Sequence, residues 1–449
     1  MKIKKVLTIF IAFVIVFSFT VNISAVDCLL DKPDIYNENQ RPEEYNNYDK
    51  NDKKLKDKKP EKNPLQKDDG DTTISAYTLP SSLSTALQLY GYPSTSLTDL
   101  YMNKGTAGYI KYNPPVSAYY SIYTTGSLDT YIEGYNVIAS DDDDGHGLNA
   151  CLSLYMYSGT TYYIVIRGIN SYQTGPYTLR LNRGLPTSTY EHSDNFSIFN
   201  SSTYKNYTNC YAYSLDFWKN PNNNKMFGYN GINPGQLAGR WLNQSDIINA
   251  TTAYDKIYAY CKEDAKYYGG SIRSINKWAQ PSAGYFKVAL VLWPGNDYHW
   301  YRQTPDGRWA HKIATSQAKF TDESATPETI FMPDECNRGN YTQFLGYFEV
   351  KVPTISSSSL SSVFSKEVTK TYDKKDDLIL DTFKSFRSGM SKDEVKSIIG
   401  QEHDFIGSGY IGEVYILKDG TKVVVYFSND VVDQIRILKN DNSYDIIVK

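Results

Sequence analysis

The sequence predicts a multidomain, β-rich chain: an all-β sandwich, a larger α+β piece, and a small α+β piece made of a helix and a meander. Three observations predict it. Short strand-like segments separated by turn residues fill residues 76–185. Within residues 198–353, a cysteine-led run is followed far downstream by an apolar strand and a turn-linked hairpin. Within residues 376–449, a capped helix precedes three alternating segments. At 449 residues the chain is too long for one ordinary domain.

Taken from the N-terminus, Lys2, Lys4 and Lys5 flank an apolar run over residues 6–17 that only Thr8 interrupts. Ile23-Ser24-Ala25 then offers small residues for cleavage. This is the pattern of a signal peptide over residues 1–25, so the chain is expected to be secreted, extracellular or cell-wall associated. A membrane anchor would want roughly 20 apolar residues and a basic cluster directly after them. Cys28 is preceded by Asp27, which is wrong for a lipid-modified cysteine. No second apolar run of that length follows, so no transmembrane segment is expected in the mature chain. Residues 26–75 are rich in Lys, Asp, Asn, Glu and Pro and read as a disordered charged tether. Residues 354–375, with Ser356 to Ser359 in a row, read as a linker. A softer break falls near residues 183–197. A net charge of −3 implies no strong pull toward nucleic acid. Five widely spaced cysteines, an odd number, do not make a disulfide framework. The 41 tyrosines fit a β-rich architecture or a surface that stacks on sugars.

In residues 76–185, the segments 161–167 and 177–181 are clear strands. "SLDTYIEGY", "SDDDDGHGLNA", "GTTYYIVIRG" and "GPYTLRL", in that order, resemble the bacterial pre-peptidase C-terminal (PPC) domain. That resemblance implies a jelly-roll-like sandwich serving as a binding or targeting module beside a secreted peptidase. The run Asp141 to Asp144 lies on a loop, where carboxylates either hold calcium or form a solvated turn.

In residues 198–353, Asn209 is placed as the N-cap of a helix that opens at Cys210 and runs to Trp218, before Asn220-Pro221. A thiol in a first helical turn is expected to have a lowered pKa. Downstream, residues 285–293 read as a buried strand ended by Pro294-Gly295. Pro305-Asp306-Gly307 then closes a three-residue hairpin that sets Tyr301 opposite His311. His299 lies two residues before Tyr301, hence on the same face, diagonal to His311.

A helix-start cysteine followed by such a histidine hairpin resembles the papain-like superfamily and, within it, the NlpC-type cell-wall peptidases. Asn209-Cys210-Tyr211-Ala212 fits their nucleophile region loosely, with Tyr-Ala in place of the usual Ser-Gly. His299 and His311 match their base and their orienting residue twelve positions later. The resemblance implies Cys210 as nucleophile, His299 as base and His311 as orienter. The Cys210 N–H, with a donor from Tyr204, Asn206 or Tyr207, would form an oxyanion hole. On the residues alone, a structural cysteine and a metal site of Cys210 with the two histidines stay open. Cys261 and Cys336 carry no motif; a disulfide and two buried thiols are both open.

In residues 376–449, Ser391 to Glu394 is a capping box opening a helix that Gly400 closes. Three strands follow, turned at Asp419-Gly420 and Asn429-Asp430. "GMSKDEVKSIIG" with this meander resembles the small domain of SmpA/OmlA-type lipoproteins and the β-lactamase-inhibitor-protein fold. Those groups bind proteins, which implies a protein partner here. No chemistry is visible in this piece, and His403 reads as an ordinary loop residue.

The resemblances together imply a secreted cysteine peptidase or amidase acting through a thioester, with no cofactor and no metal. A peptide or cell-wall polymer would be its substrate, and nucleic acid is not expected as a partner. The rival expectation is a non-catalytic adhesion or scaffold protein with an inactive papain-like domain.

Overall fold

The structure, a computed structural model, describes residues 77–188, 196–220, 225–351, 372–439 and 443–448. The expected signal peptide, the charged tether and most of the linker at 354–375 lie outside these residues, as does Cys28.

Nine strands make up the first part: β1 (Leu87–Leu89), β2 (Ser94–Met102), β3 (Ala107–Tyr112), β4 (Ala118–Thr125), β5 (Thr130–Gly134), β6 (Ser140–Asp141), β7 (Cys151–Met156), β8 (Tyr162–Gly168) and β9 (Gly175–Arg183). They form two sheets, β1-β3-β8-β5-β6 and β2-β9-β4-β7, all antiparallel except the β1–β3 pair. Side chains alternate as a half-buried strand requires. On β3, Ile110 and Tyr112 point inward and join Leu97, Leu100, Tyr120, Ile122, Ile164 and Leu179 in one core between the sheets. The expected sandwich is present. Residues 189–195 of the softer break expected near 183–197 lie outside the described residues; before them, Leu185 is buried among residues of the next sheet.

Among its described residues the second part holds three α-helices, α1 (Phe196–Phe199), α2 (Cys210–Ser214) and α3 (Ala250–Tyr267), and six strands. The strands are β10 (Ile272–Ser274), β11 (Tyr285–Trp293), β12 (Asp297–Gln303), β13 (Trp309–Lys312), β14 (Ala318–Lys319) and β15 (Gln343–Lys351). Their order is β10-β15-β11-β12-β13-β14, antiparallel throughout. Both faces are covered, which is why β11 is apolar without a break from Val288 to Trp293. Val288, Leu290 and Leu292 face α2 and α3, against Leu215, Ile257 and Cys261. Ala289 and Val291 face the other way, against Leu185, Tyr301 and Trp309.

The third part contains α4 (Leu380–Lys384), α5 (Lys392–Ile399) and a five-stranded sheet of β16 (Asp404–Ile406), β17 (Gly412–Ile416), β18 (Lys422–Ser428), β19 (Val431–Leu438) and β20 (Tyr444–Val448), in sequence order. The capping box and the Gly400 stop, at φ +76°, are as expected. Asn429 and Asp430 both adopt positive φ, as a two-residue hairpin turn requires. Strands β16 and β20 widen the expected three-stranded meander to five.

This last sheet is buried on both faces. Val423 and Val425 pack with Phe383, Val395 and Ile399 of its own helices. Val424, Tyr426, Val414 and Tyr410 belong instead to the core that contains Cys210, Tyr298 and Trp300. The whole is a β-rich multidomain assembly. Among the described residues no helix is long and apolar enough to cross a membrane.

Candidate active site

Cys210 opens α2, and the Asn209 side chain caps it by accepting the Ala212 N–H at 3.0 Å. The helix is shorter than expected and ends at Ser214, not Trp218. Asp216 turns the chain at φ +62°, and its carboxylate pairs at 3.2 Å with the buried Arg302 guanidinium. That tertiary pairing wins over the local helical spacing. The segment before the cap is clamped by Lys312. Its ammonium donates to the carbonyls of Lys205 at 2.8 Å, Thr208 at 2.5 Å and Ala314 at 2.6 Å. Burial pushes this lysine down to about 7.

The hairpin is as expected: Tyr301 lies opposite His311, and Gly307 adopts φ +86°. His299 and His311 share a face, and His299 Nε2 is 2.7 Å from His311 Nδ1. His311 Nε2 lies 2.9 Å from the Thr321 carbonyl, which can only accept. Tyr301 stacks on His311 and meets His299 edge-on. Burial holds His299 well below its ordinary pKa, and it holds His311 down at about 4, so both rings are neutral near pH 7.

The third feature of the site was not foreseen. The Ser408 hydroxyl, between β16 and β17, sits 2.5 Å from His299 Nδ1 and hydrogen-bonds the Cys210 thiol. The described contacts include no direct Cys210–His299 hydrogen bond; Ser408 stands between them. Its main chain is held by Asp297, at the start of β12. The Asp297 carboxylate accepts N–H groups from Ser408, from Gly409 at 3.1 Å and from Tyr410 at 2.5 Å, and the Tyr341 hydroxyl at 2.6 Å. Burial still raises this carboxyl to about 6. The third part of the chain, in which the sequence shows no chemistry, therefore places a hydroxyl beside His299. The signals were present: a serine between two glycines, and a carboxylate two residues before His299.

The directions of the hydrogen bonds follow from what each atom can do. Thr321 O accepts, so His311 Nε2 carries its proton and Nδ1 is a lone pair. His299 must then donate from Nε2, which leaves Nδ1 to accept from Ser408 O–H. A second Ser408 contact, to the Lys312 carbonyl at 3.5 Å, is too long to compete. The chain runs thiol, hydroxyl, imidazole, imidazole, carbonyl.

The thiol is not depressed in this arrangement. Burial, with Asp297 charge adding to it, pushes Cys210 up to about 12, although the N–H groups of Trp300 and Tyr211 pull the other way. A five-residue helix with 0% exposure at its first residue cannot offset that desolvation. Of the expected oxyanion donors, the Tyr204 ring packs against Trp218 and the Tyr207 ring against Tyr229, and the Asn206 main-chain carbonyl accepts from Asn230 N–H. Cys261 and Cys336 are free thiols on opposite faces of the second sheet, as are Cys151 and Cys210 free. The carboxylates of Asp141, Asp143 and Asp144 do converge, but Asp141 is already bonded to the N–H groups of Cys151 and Asp144. His403 is a loop residue whose ring accepts the Ile416 N–H at 3.2 Å.

No protein-family model matches the sequence. A stretch of 143 residues is 30% identical to "Insoluble matrix shell protein 1" of Ruditapes philippinarum, covering 32% of this chain and 78% of that protein. Over that third of its length, the chain belongs to the same family as insoluble matrix shell protein 1.

Proposed function

We propose that the chain is an exported cysteine peptidase or amidase, with a papain-like second domain flanked by a PPC-like sandwich and an SmpA/OmlA-like third domain. One observation carries this reading. His299 turns one ring nitrogen toward the Cys210 region and donates from the other to His311, which a carbonyl fixes in turn. That is the nucleophile, base and orienter arrangement that thiol chemistry needs.

The reaction then runs as follows. With the cleft open, the Cys210 proton passes to His299 Nδ1, and sulfur attacks the carbonyl carbon of a peptide or amide. The C–N bond breaks as the leaving amine takes that proton, which leaves a thioester on Cys210. Water, losing a proton to His299, hydrolyses the thioester and restores the thiol. His311 keeps the tautomer of His299 correct throughout. Wall peptide is the favoured substrate class, through the NlpC-type resemblance of Asn209-Cys210-Tyr211-Ala212 and the His pair.

The test is hydrolysis of wall peptides and peptide amides, with intact-mass detection of an acyl-enzyme. Cys210→Ala and His299→Ala are expected to remove at least about 10³-fold of turnover, and His311→Ala less. An acyl-enzyme absent from every open form of the chain rejects the reading. A second reading, a non-catalytic matrix or adhesion protein, is favoured by the name of the shell-matrix relative. That relative also supports an extracellular location.

A further inference from the structure

The space between Cys210 and His299 is occupied by a remote part of the same chain. Ser408 puts its hydroxyl there, and the loop around it is gripped on all sides. Asp297 takes three successive N–H groups, from residues 408 to 410. Gly409 lies so close to Tyr298 that a Cβ would stand 2.5 Å from its ring. A Cβ on Gly407, at φ +96°, would stand 2.8 Å from the Tyr410 carbonyl and 3.1 Å from the Asp297 carboxylate. Both glycines are needed for the chain to lie this close.

The rest of the third sheet anchors the loop. Arg436 donates to Gln244 at 2.5 Å, to Asn296 at 2.7 Å and to the Gly295 carbonyl at 2.7 Å. Asp433 accepts the Gln244 N–H at 3.0 Å and the Tyr410 hydroxyl at 2.7 Å. Cys210, His299 and Asp297 are 0–1% exposed beneath this cover, so no external peptide bond reaches the sulfur.

Resting on the cysteine-hydrolase reading, we propose that Asp297 is the main-chain receptor of the substrate cleft. Residues 407–410 fill that cleft as an internal peptide ligand, and the chain is dormant until the loop lifts away. The occupant states what the cleft takes: a peptide main chain that presents consecutive N–H groups to a buried carboxylate, with a glycine-sized residue over Tyr298. When the loop leaves, Asp297 keeps, among the described residues, only the Tyr341 hydroxyl, and an incoming peptide restores the lost bonds.

The experiment uses the full chain, labelled with iodoacetamide near pH 7 and mapped by mass. In the unaltered protein Cys210 should react slowly. Gly409→Leu, which cannot seat against Tyr298, should raise its labelling rate about 100-fold or more by populating the open form. In that variant the peptide acetyl-Gly-Ser-Gly-Tyr-amide should slow labelling again, and a further Asp297→Asn should abolish this protection. Equal labelling of Cys210 in the unaltered chain and in a folded Gly409→Leu protein overturns the proposal, as does the absence of peptide protection. Labelling that rises and is peptide-protected, without any hydrolysis, leaves Asp297 standing as a main-chain receptor that residues 407–410 fill, and removes the hydrolase reading and the dormancy that rests on it. Should Gly409→Leu fail to fold, hydrogen exchange of the unaltered chain decides. Amides 408–410 are expected to be as protected as core strands, and exchange as fast as an exposed loop overturns the proposal.

Discussion

His299 donates its Nε2 proton to His311 Nδ1 across 2.7 Å, so two neutral imidazoles are wired in series inside the protein. Neither can take a second proton there without losing that bond or facing burial uncompensated.

This has a measurable pH signature. The folded pKa of His311, about 4, lies below its ordinary 6.5. Its contribution to stability is therefore whole above about 6.5 and is lost as pH falls toward 4. His311→Gln should be less stable than the unaltered chain at pH 7, and the gap should shrink by about 3 kcal/mol by pH 4. Asp297 and Asp264, both raised to about 6, titrate with the opposite sign in this window, but they are common to both proteins. Urea midpoints measured across pH check this; a gap independent of pH contradicts a buried neutral His311.

Ser408→Ala removes the hydroxyl that satisfies His299 Nδ1 and the Cys210 thiol, while the three N–H bonds to Asp297 remain. The loop should stay seated, with stability lower by about 1–3 kcal/mol. A melt unchanged within error would mean the hydroxyl is not the partner of His299.

Gly231 lies under the cap of the cysteine helix. It adopts φ +79°, and a Cβ there would stand 2.7 Å from the Asn209 nitrogen. Gly231→Ala should cost on the order of 1–3 kcal/mol through strain and displacement of Asn209. Denaturant titration reads this directly, and an unshifted midpoint rejects the close approach.

Cys151, Cys210, Cys261 and Cys336 are free. Peptide mapping without reductant should recover each as a thiol. A Cys261–Cys336 cross-link would require one of them to pass through the second sheet, and finding it would contradict the packing of β11.

What could be read from the sequence was chemistry that acts locally. Asn209 caps within three residues, Gly307 supplies its own positive φ, and Ser391 with Glu394 closes a reciprocal pair. The placement of His299 beside His311 also follows from short-range hairpin register. The failures are all long-range. The helix at Cys210 stops early because Asp216 finds Arg302, 86 residues away. Ser408 meets His299 across 109 residues, and no periodicity encodes that contact. One clue was overlooked: Val423-Val424-Val425-Tyr426 is a continuous apolar run, not an alternating one, which marks a strand covered on both faces. That strand is what brings the third sheet onto the second.

The two-faced sheet also orders events during synthesis. Val424 and Tyr426 have nowhere dry to go until the second sheet exists, whereas the second sheet can assemble from residues already made. Translation at roughly 5–20 residues per second leaves an interval on the order of ten seconds between the two. For that interval the nascent chain carries an unguarded sulfur, and the guard arrives last.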